Sequence, residues 1–463
     1  MYQKKKGVLL FLITILVLSL LAGCGNSGNS EQSDSNSAPI KEAATPVKEE
    51  TKEPVTLKLF VNSTVVEKDW GSESVYGKLL KDFEASTGTK VELSVIPGDA
   101  VEMQKKVDIA LVSGDSTDLI MLSNPLIQDK YASQGFLYPM NELATKSNYD
   151  ISKVFGDNVV RYEDEVYFLP VNSSVWAVFY NQKLFDDAKV PYPSGNWTWS
   201  EYVETAKKLT NPEKGIMGSY MLTFDAYMYL SARQKNVSGY KEDGTSNFDA
   251  PEFKEALKLY GDFGNVHKIQ PSWLEWKTKK LPNTGFLDGK YAMLLGGSFF
   301  TGILNNTEKY PRDWKWGVTQ LPTPDDGKGN NTVGVTAAIG ISKNSKNPEM
   351  AFEFTKFFAE NQAKARGELP SRKDLSPEEL NGYLTSIAEL SAGSVTADDL
   401  RTAFYDNGLG FAQEKLIGPA MTEYGNIILQ EGELYLVGQK SLDETVTAIK
   451  KRMDEAIKNE AKN

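Results

Sequence analysis

The side chains that carry most nucleophilic and zinc chemistry are nearly absent from this sequence. Its 463 residues include one His, His267, and one Cys, Cys24. That count excludes a structural Cys/His zinc cluster and any internal disulfide. A Ser-His-Asp or Cys-His hydrolase would rest on His267 alone, and no Gly-x-Ser-x-Gly turn surrounds it. A surface or core place is expected for it. Acids are plentiful, with 62 Asp and Glu. A pair of them could flank a glycosidic bond as acid and nucleophile. They sit mostly among Lys in helical stretches, as solvated faces do, and none falls in a catalytic motif. Asp325–Asn331 (DDGKGNN) offers oxygen ligands but lacks the spacing and terminal Glu of an EF-hand loop, so a polar hairpin is expected. No catalytic residue, cofactor or metal ligand is assigned. Ser174 and Trp176 alternate, so in a strand both face one side. The other reading of Trp176 is burial within the strand. Trp273 and Trp276 share a helical face after Pro271, where packing against the core is expected. The net charge of −11 argues against a nucleic-acid partner.

The elements that must position these residues alternate between strand and helix. Thr56–Phe60 and Lys90–Ile96 read as strands, with a helix from Ser74 to Ser86 between them that Gly88 ends. Asp99 caps a second helix that runs to Val112, and Asp118–Leu122 is a short buried strand. This order predicts a parallel α/β sheet, with ligands beyond the C-terminal ends of the strands. That singles out the loops 61–71 and 123–126. The stretch Tyr167–Thr210 organises the rest. It holds an apolar run interrupted by Pro170, Asn172, Ser173 and Ser174, then a strand Trp176–Tyr180, then a turn at 191–196. Thr198 and Glu201 form a capping box, with Trp197 and Tyr202 at the staple positions. Further on, a turn is expected at Gly218, a hairpin at Asp243-Gly244, and a helix opened by Pro251.

These segments resemble the family 1 extracellular solute-binding proteins, the receptors of sugar-importing ABC transporters. The resemblance rests on Leu169-Pro170, Tyr180-Asn181-Gln-Lys-Leu184-Phe185, Thr198-Trp-Ser-Glu201 and Ala206-Lys-Lys-Leu209. It extends through Phe286-Leu-Asp-Gly-Lys-Tyr-Ala-Met293 and Leu369-Pro-Ser-Arg372, and spans about residues 56–458. It implies an α/β fold of two lobes with the ligand cleft between them. The expected division is 55–171 with 320–362 for the first lobe and 172–319 with 363–463 for the second. Trp316–Pro322 is expected to cross back to the first.

The N-terminus fits that resemblance. Lys4–Lys6 precede an apolar run from Gly7 to Leu21, the layout of a signal peptide over residues 1–23. The run is about 15 residues, short of the roughly 20 a membrane span needs. Leu20-Leu-Ala-Gly-Cys24 resembles a lipobox, which would leave Cys24 lipidated as the first mature residue. Residues 24–54 are polar and lack aromatics, as a disordered tether would. The implied protein is lipid-anchored on the extracellular face of the membrane, acts as a monomer, and delivers its ligand to permease subunits.

The resemblance also implies ligand positions. They are Trp70 and Asn124 in the first-lobe loops, and Ser174 and Trp176 at the crossing. Asp225 follows beside Phe224 and Tyr227, then Phe299 after Gly296-Gly297, and Tyr424 near the C-terminus. Aromatic faces stack on the C–H face of a sugar ring, and a few polar groups meet its hydroxyls. Other readings stay open: Trp70 in the core, Asn124 as a turn-former before Pro125. The expected ligand is a sugar or oligosaccharide. The rivals are a secreted glycoside hydrolase, or a receptor for a glycerophosphodiester or peptide.

Overall fold

The computed structural model describes residues 55–62, 71–96, 100–122, 127–159, 161–406 and 410–460. Cys24, Trp70, Asn124, the Asp99 cap, the leader and the tether lie outside the described residues.

Among the described residues, nine strands form the sheet framework. β1 (Thr56–Asn62), β2 (Lys90–Ile96) and β3 (Leu119–Leu122) are parallel, in the order β2-β1-β3. The helix Val75–Thr87 joins the first two; Ser74 caps its start and Gly88, at φ 71°, ends it. Only glycine takes that left-handed turn without strain. Along β1 the side chains alternate between two apolar cores. Leu57, Leu59 and Val61 enter one, with Phe354 and Phe358; Phe60 enters the other, with Ile120 and Tyr131. The inner strand β3, Leu-Ile-Met-Leu, is buried on both faces and reads as a continuous apolar run, whereas the edge strand β2 alternates.

β4 (Phe168–Asn181) is a single strand of 14 residues, every one of them buried. The interruption expected at Pro170 to Ser174 is a pair of register shifts, between Pro170 and Asn172 and between Asn172 and Ser173. Proline has no N–H for the ladder, so the strand bulges there and continues. Its first half pairs with β8 (Asn331–Ile341) and packs into the first cores through Leu169 and Val171. Its second half lies between β6 (Tyr291–Gly297) and β7 (Trp316–Gln320) in a separate core with Trp316 and Phe300. β5 (Met217–Met221) lies beside β6, and β9 (Phe411–Gln413) beside β8.

Two expectations need correction. Trp316–Pro322 does not cross: β7 pairs with Ala177–Asn181, and Trp316, Val318 and Leu321 are buried in the core of the second half. The chain passes between cores along β8, where Val333 packs on one side and Ile339 and Ile341 on the other. Gly218 is not in a turn but inside β5. A Cβ there would meet the Ala206 backbone at 1.9 Å, so a side chain would push the helix Trp199–Leu209 off the sheet. That helix starts with the expected capping box of Thr198 and Glu201, and Trp197 packs on Tyr202 with ring centroids 5.6 Å apart. Trp273 and Trp276 pack on the second core, as expected.

Candidate functional site

The middle of β4, where it leaves one core and enters the other, brings several of the expected residues together. Ser174 lies opposite Gly334 of β8, and Trp176 opposite Gly297 of β6. At Gly297 there is no room for a side chain, and at Gly334 one would press on a neighbouring carboxylate. A Cβ on Gly297 would sit 2.2 Å from Ser174 Oγ and 2.7 Å from the Phe299 ring. A Cβ on Gly334 would sit 3.0 Å from Glu414 Oε2. Ser174, Phe299 and Glu414 thus crowd around these two backbone positions. Phe299 is half-buried and stands just before the helix Phe300–Asn305.

Trp176 is buried, so burial within the strand is what its environment shows. Its indole N–H donates to Glu414 Oε2 at 2.5 Å, and its ring meets Tyr227 edge-on, with centroids 4.9 Å apart at 90°. A buried indole N–H needs such an acceptor, and a charged one makes the bond strong. Tyr227 donates to the Leu295 carbonyl at 2.6 Å and stacks with Phe224, whose ring is 37% exposed. Burial pushes the Tyr227 hydroxyl well above its ordinary range, so it acts as a fixed donor.

Asp225 joins the same arrangement through Lys415. The Lys415 ammonium lies 3.0 Å from Glu414 and 3.3 Å from Asp225, whose other oxygen accepts from the Tyr229 hydroxyl at 2.7 Å. Burial opposes the charge on Lys415, but the two carboxylates outweigh it and hold the ammonium above its ordinary range. Arg233 donates to the Gln413 carbonyl at 2.8 Å and to that of Val237, which pins the segment carrying Glu414.

Four of the residues expected from sequence, Ser174, Trp176, Asp225 and Phe299, therefore fall into one linked group. Tyr424 does not, and is a correction. It is fully buried between Tyr240 and Phe248, and its hydroxyl bonds to Ser246 at 2.6 Å and the Gly239 carbonyl at 2.9 Å. It is a core residue whose polar tip is already satisfied. Glu414 and Lys415 were missed. They follow a strand of three residues, too short to show any periodicity, and nothing local marks them. On the other side of the bulge, Asn172 donates to the buried Glu368 at 2.6 Å. Among the described residues no group of three or more His, Cys, Asp or Glu could hold a metal ion. No helix there is long and apolar enough to cross a membrane.

Residues 68–365 match the model of the bacterial extracellular solute-binding proteins. The chain belongs to that family. A binding protein of Brucella abortus is 27% identical over 357 residues, 74% of this solute-binding protein and 83% of the relative. A multiple sugar-binding protein of Streptococcus mutans is 24% identical over 307 residues, 62% of this chain and 68% of the relative. Among solved structures, an ABC substrate-binding protein of Listeria monocytogenes in complex with cycloalternan superposes with a TM-score of 0.73 at 23% identity. That match covers 88% of this solute-binding protein and all of the Listeria chain. The fold is the two-lobed α/β fold of these binding proteins.

Proposed function

We propose that this protein is a lipid-anchored receptor for a sugar or oligosaccharide that it carries to an ABC permease at the outer face of the membrane. The observation that carries the reading is the group at the β4 crossing. Ser174, Phe299 and Glu414 surround Gly297 and Gly334, with the Phe224–Tyr227–Trp176 ring series beside them. A half-buried ring next to hydroxyl and carboxylate groups suits a ligand with C–H faces and hydroxyls. The relative named for multiple sugars and the neighbour holding cycloalternan support the same ligand class. Binding without catalysis accords with the family. Trp70 and Asn124 are assigned to ligand binding by resemblance, and Cys24 to lipid attachment.

The lobes we assign are residues 55–171 with 337–362, and 172–333 with 363–460, following the separate cores. They close on the ligand by hinge motion about β4 and β8, as binding proteins of this architecture do. The test is thermal shift and calorimetric titration of the protein, as a monomer, against mono- and oligosaccharides. A saturable rise in Tm with the sugar recovered intact is the expected result. Recovery of cleaved sugar would overturn the receptor reading. A response confined to glycerophosphodiesters or peptides would overturn the sugar.

A further inference from the structure

Resting on the receptor reading, we propose that Glu414 determines the specificity of the site: its carboxylate accepts a ligand hydroxyl, and the ligand class is neutral. Lys415, Asp225 and Arg233 position that carboxylate without meeting the ligand's charge themselves.

The ladder fixes Gly334 opposite Ser174, and Glu414 Oε2 occupies the space a side chain on Gly334 would need. The carboxylate therefore reaches the crossing strand itself, beside the position that the Ser174 hydroxyl and the Phe299 ring share around Gly297. Ser174 Oγ lies where a Cβ on Gly297 would be, 2.2 Å from it. An ionised carboxylate has about four acceptor positions on two oxygens. Two are used here, by the Trp176 indole at 2.5 Å and the Lys415 ammonium at 3.0 Å. Acceptor capacity is left over near the Ser174 hydroxyl and the half-buried Phe299 ring. Hydroxyl donors fit that set.

Lys415 is shared between two carboxylates, and Arg233 donates to the Gln413 and Val237 carbonyls. An anionic ligand would meet the Glu414 carboxylate, while the ammonium beside it is already held by Glu414 and Asp225. Like charges brought together in a partly desolvated site are strongly disfavoured. A uronic acid or sugar phosphate should therefore bind far less well than the neutral sugar of the same size.

The experiment titrates the full chain in detergent, and its Glu414→Gln and Lys415→Met variants, with neutral mono- and oligosaccharides and the matching uronic acids. The wild type should prefer the neutral sugar over its acid by about tenfold or more, since each 1.4 kcal/mol is a factor of ten. Glu414→Gln should lose about tenfold in affinity for the neutral sugar and most of the neutral-over-acid preference. Lys415→Met should weaken the neutral sugar and keep the preference against the acid. A residue that merely braced Trp176 would lower affinity for both ligands by one factor, and that pattern overturns the assignment. Unchanged affinity in a folded Glu414→Gln protein also overturns it. A panel to which the wild type is indifferent overturns the sugar reading, and the Glu414 assignment with it.

Discussion

Two buried carboxylates, Glu368 and Glu414, reach the same strand on either side of Ser174, and they are built differently. Glu368 accepts from Asn172 at 2.6 Å, Gln362 at 3.3 Å and Arg366 at 3.0 Å, and Arg366 and Gln362 both donate to the Tyr76 hydroxyl at 3.1 Å. Three of its members lie at the end of one helix and just past it. The segment behind them is tied down too: Ser173 N–H bonds to the Leu369 carbonyl, and Ser371 Oγ donates to that of Pro170. Among the described residues Glu414 accepts from only two donors, the Trp176 indole and the adjacent Lys415. The cations beside the two carboxylates are about equally exposed, 29% for Arg366 and 27% for Lys415, so the difference lies in the donors. The first group is filled and holds the crossing in place. The second has acceptor positions to spare. A buried carboxylate is thus no guide to function until its remaining acceptor positions are accounted for.

The sharpest way to break this contrast is to remove Glu368. Glu368→Ala would leave Asn172 and Arg366 without their buried acceptor. It should cost about 3 kcal/mol, the lower end for breaking a buried pair, because the guanidinium stays partly exposed. Urea denaturation would read it, and a loss below about 1 kcal/mol would contradict the structural role. Glu414→Gln should cost less stability than Glu368→Ala in the same melts and should act mainly on affinity. The reverse order would merge the two groups.

Phe299→Ala should weaken sugar binding by roughly threefold to tenfold, the scale of one aromatic contact, with the fold intact by circular dichroism. Unchanged affinity would take Phe299 out of the site. The smallest change is at Tyr424. Tyr424→Phe should lower stability by about 1 kcal/mol through its lost hydrogen bonds and leave sugar affinity as it was. A loss of affinity there would return Tyr424 to the site.

Much of the architecture was legible in local pattern. The capping box at Thr198, the Gly88 stop and the alternation of Lys90–Ile96 are short-range physics, and they appear where the residues put them. Ser174, Trp176, Asp225 and Phe299 were reached by resemblance, and they meet in space. Gly218 misled because a glycine inside a strand and one in a turn look alike in sequence. Its reason is the helix backbone pressed against it, which is a tertiary fact.

By itself, the sequence determined the alternation of strand and helix, the family, and the scarcity of side chains for nucleophilic chemistry. Each of these depends on residue type and near neighbours, which chain order preserves. Only the tertiary structure decided that β8 carries the crossing, that Tyr424 belongs to the core, and that Glu414 bonds Trp176 across 238 residues of chain. Such contacts depend on which surfaces come together when the cores close. No short stretch of sequence records that, because the energy of a buried polar group is set by the partner it meets and not by the residues beside it.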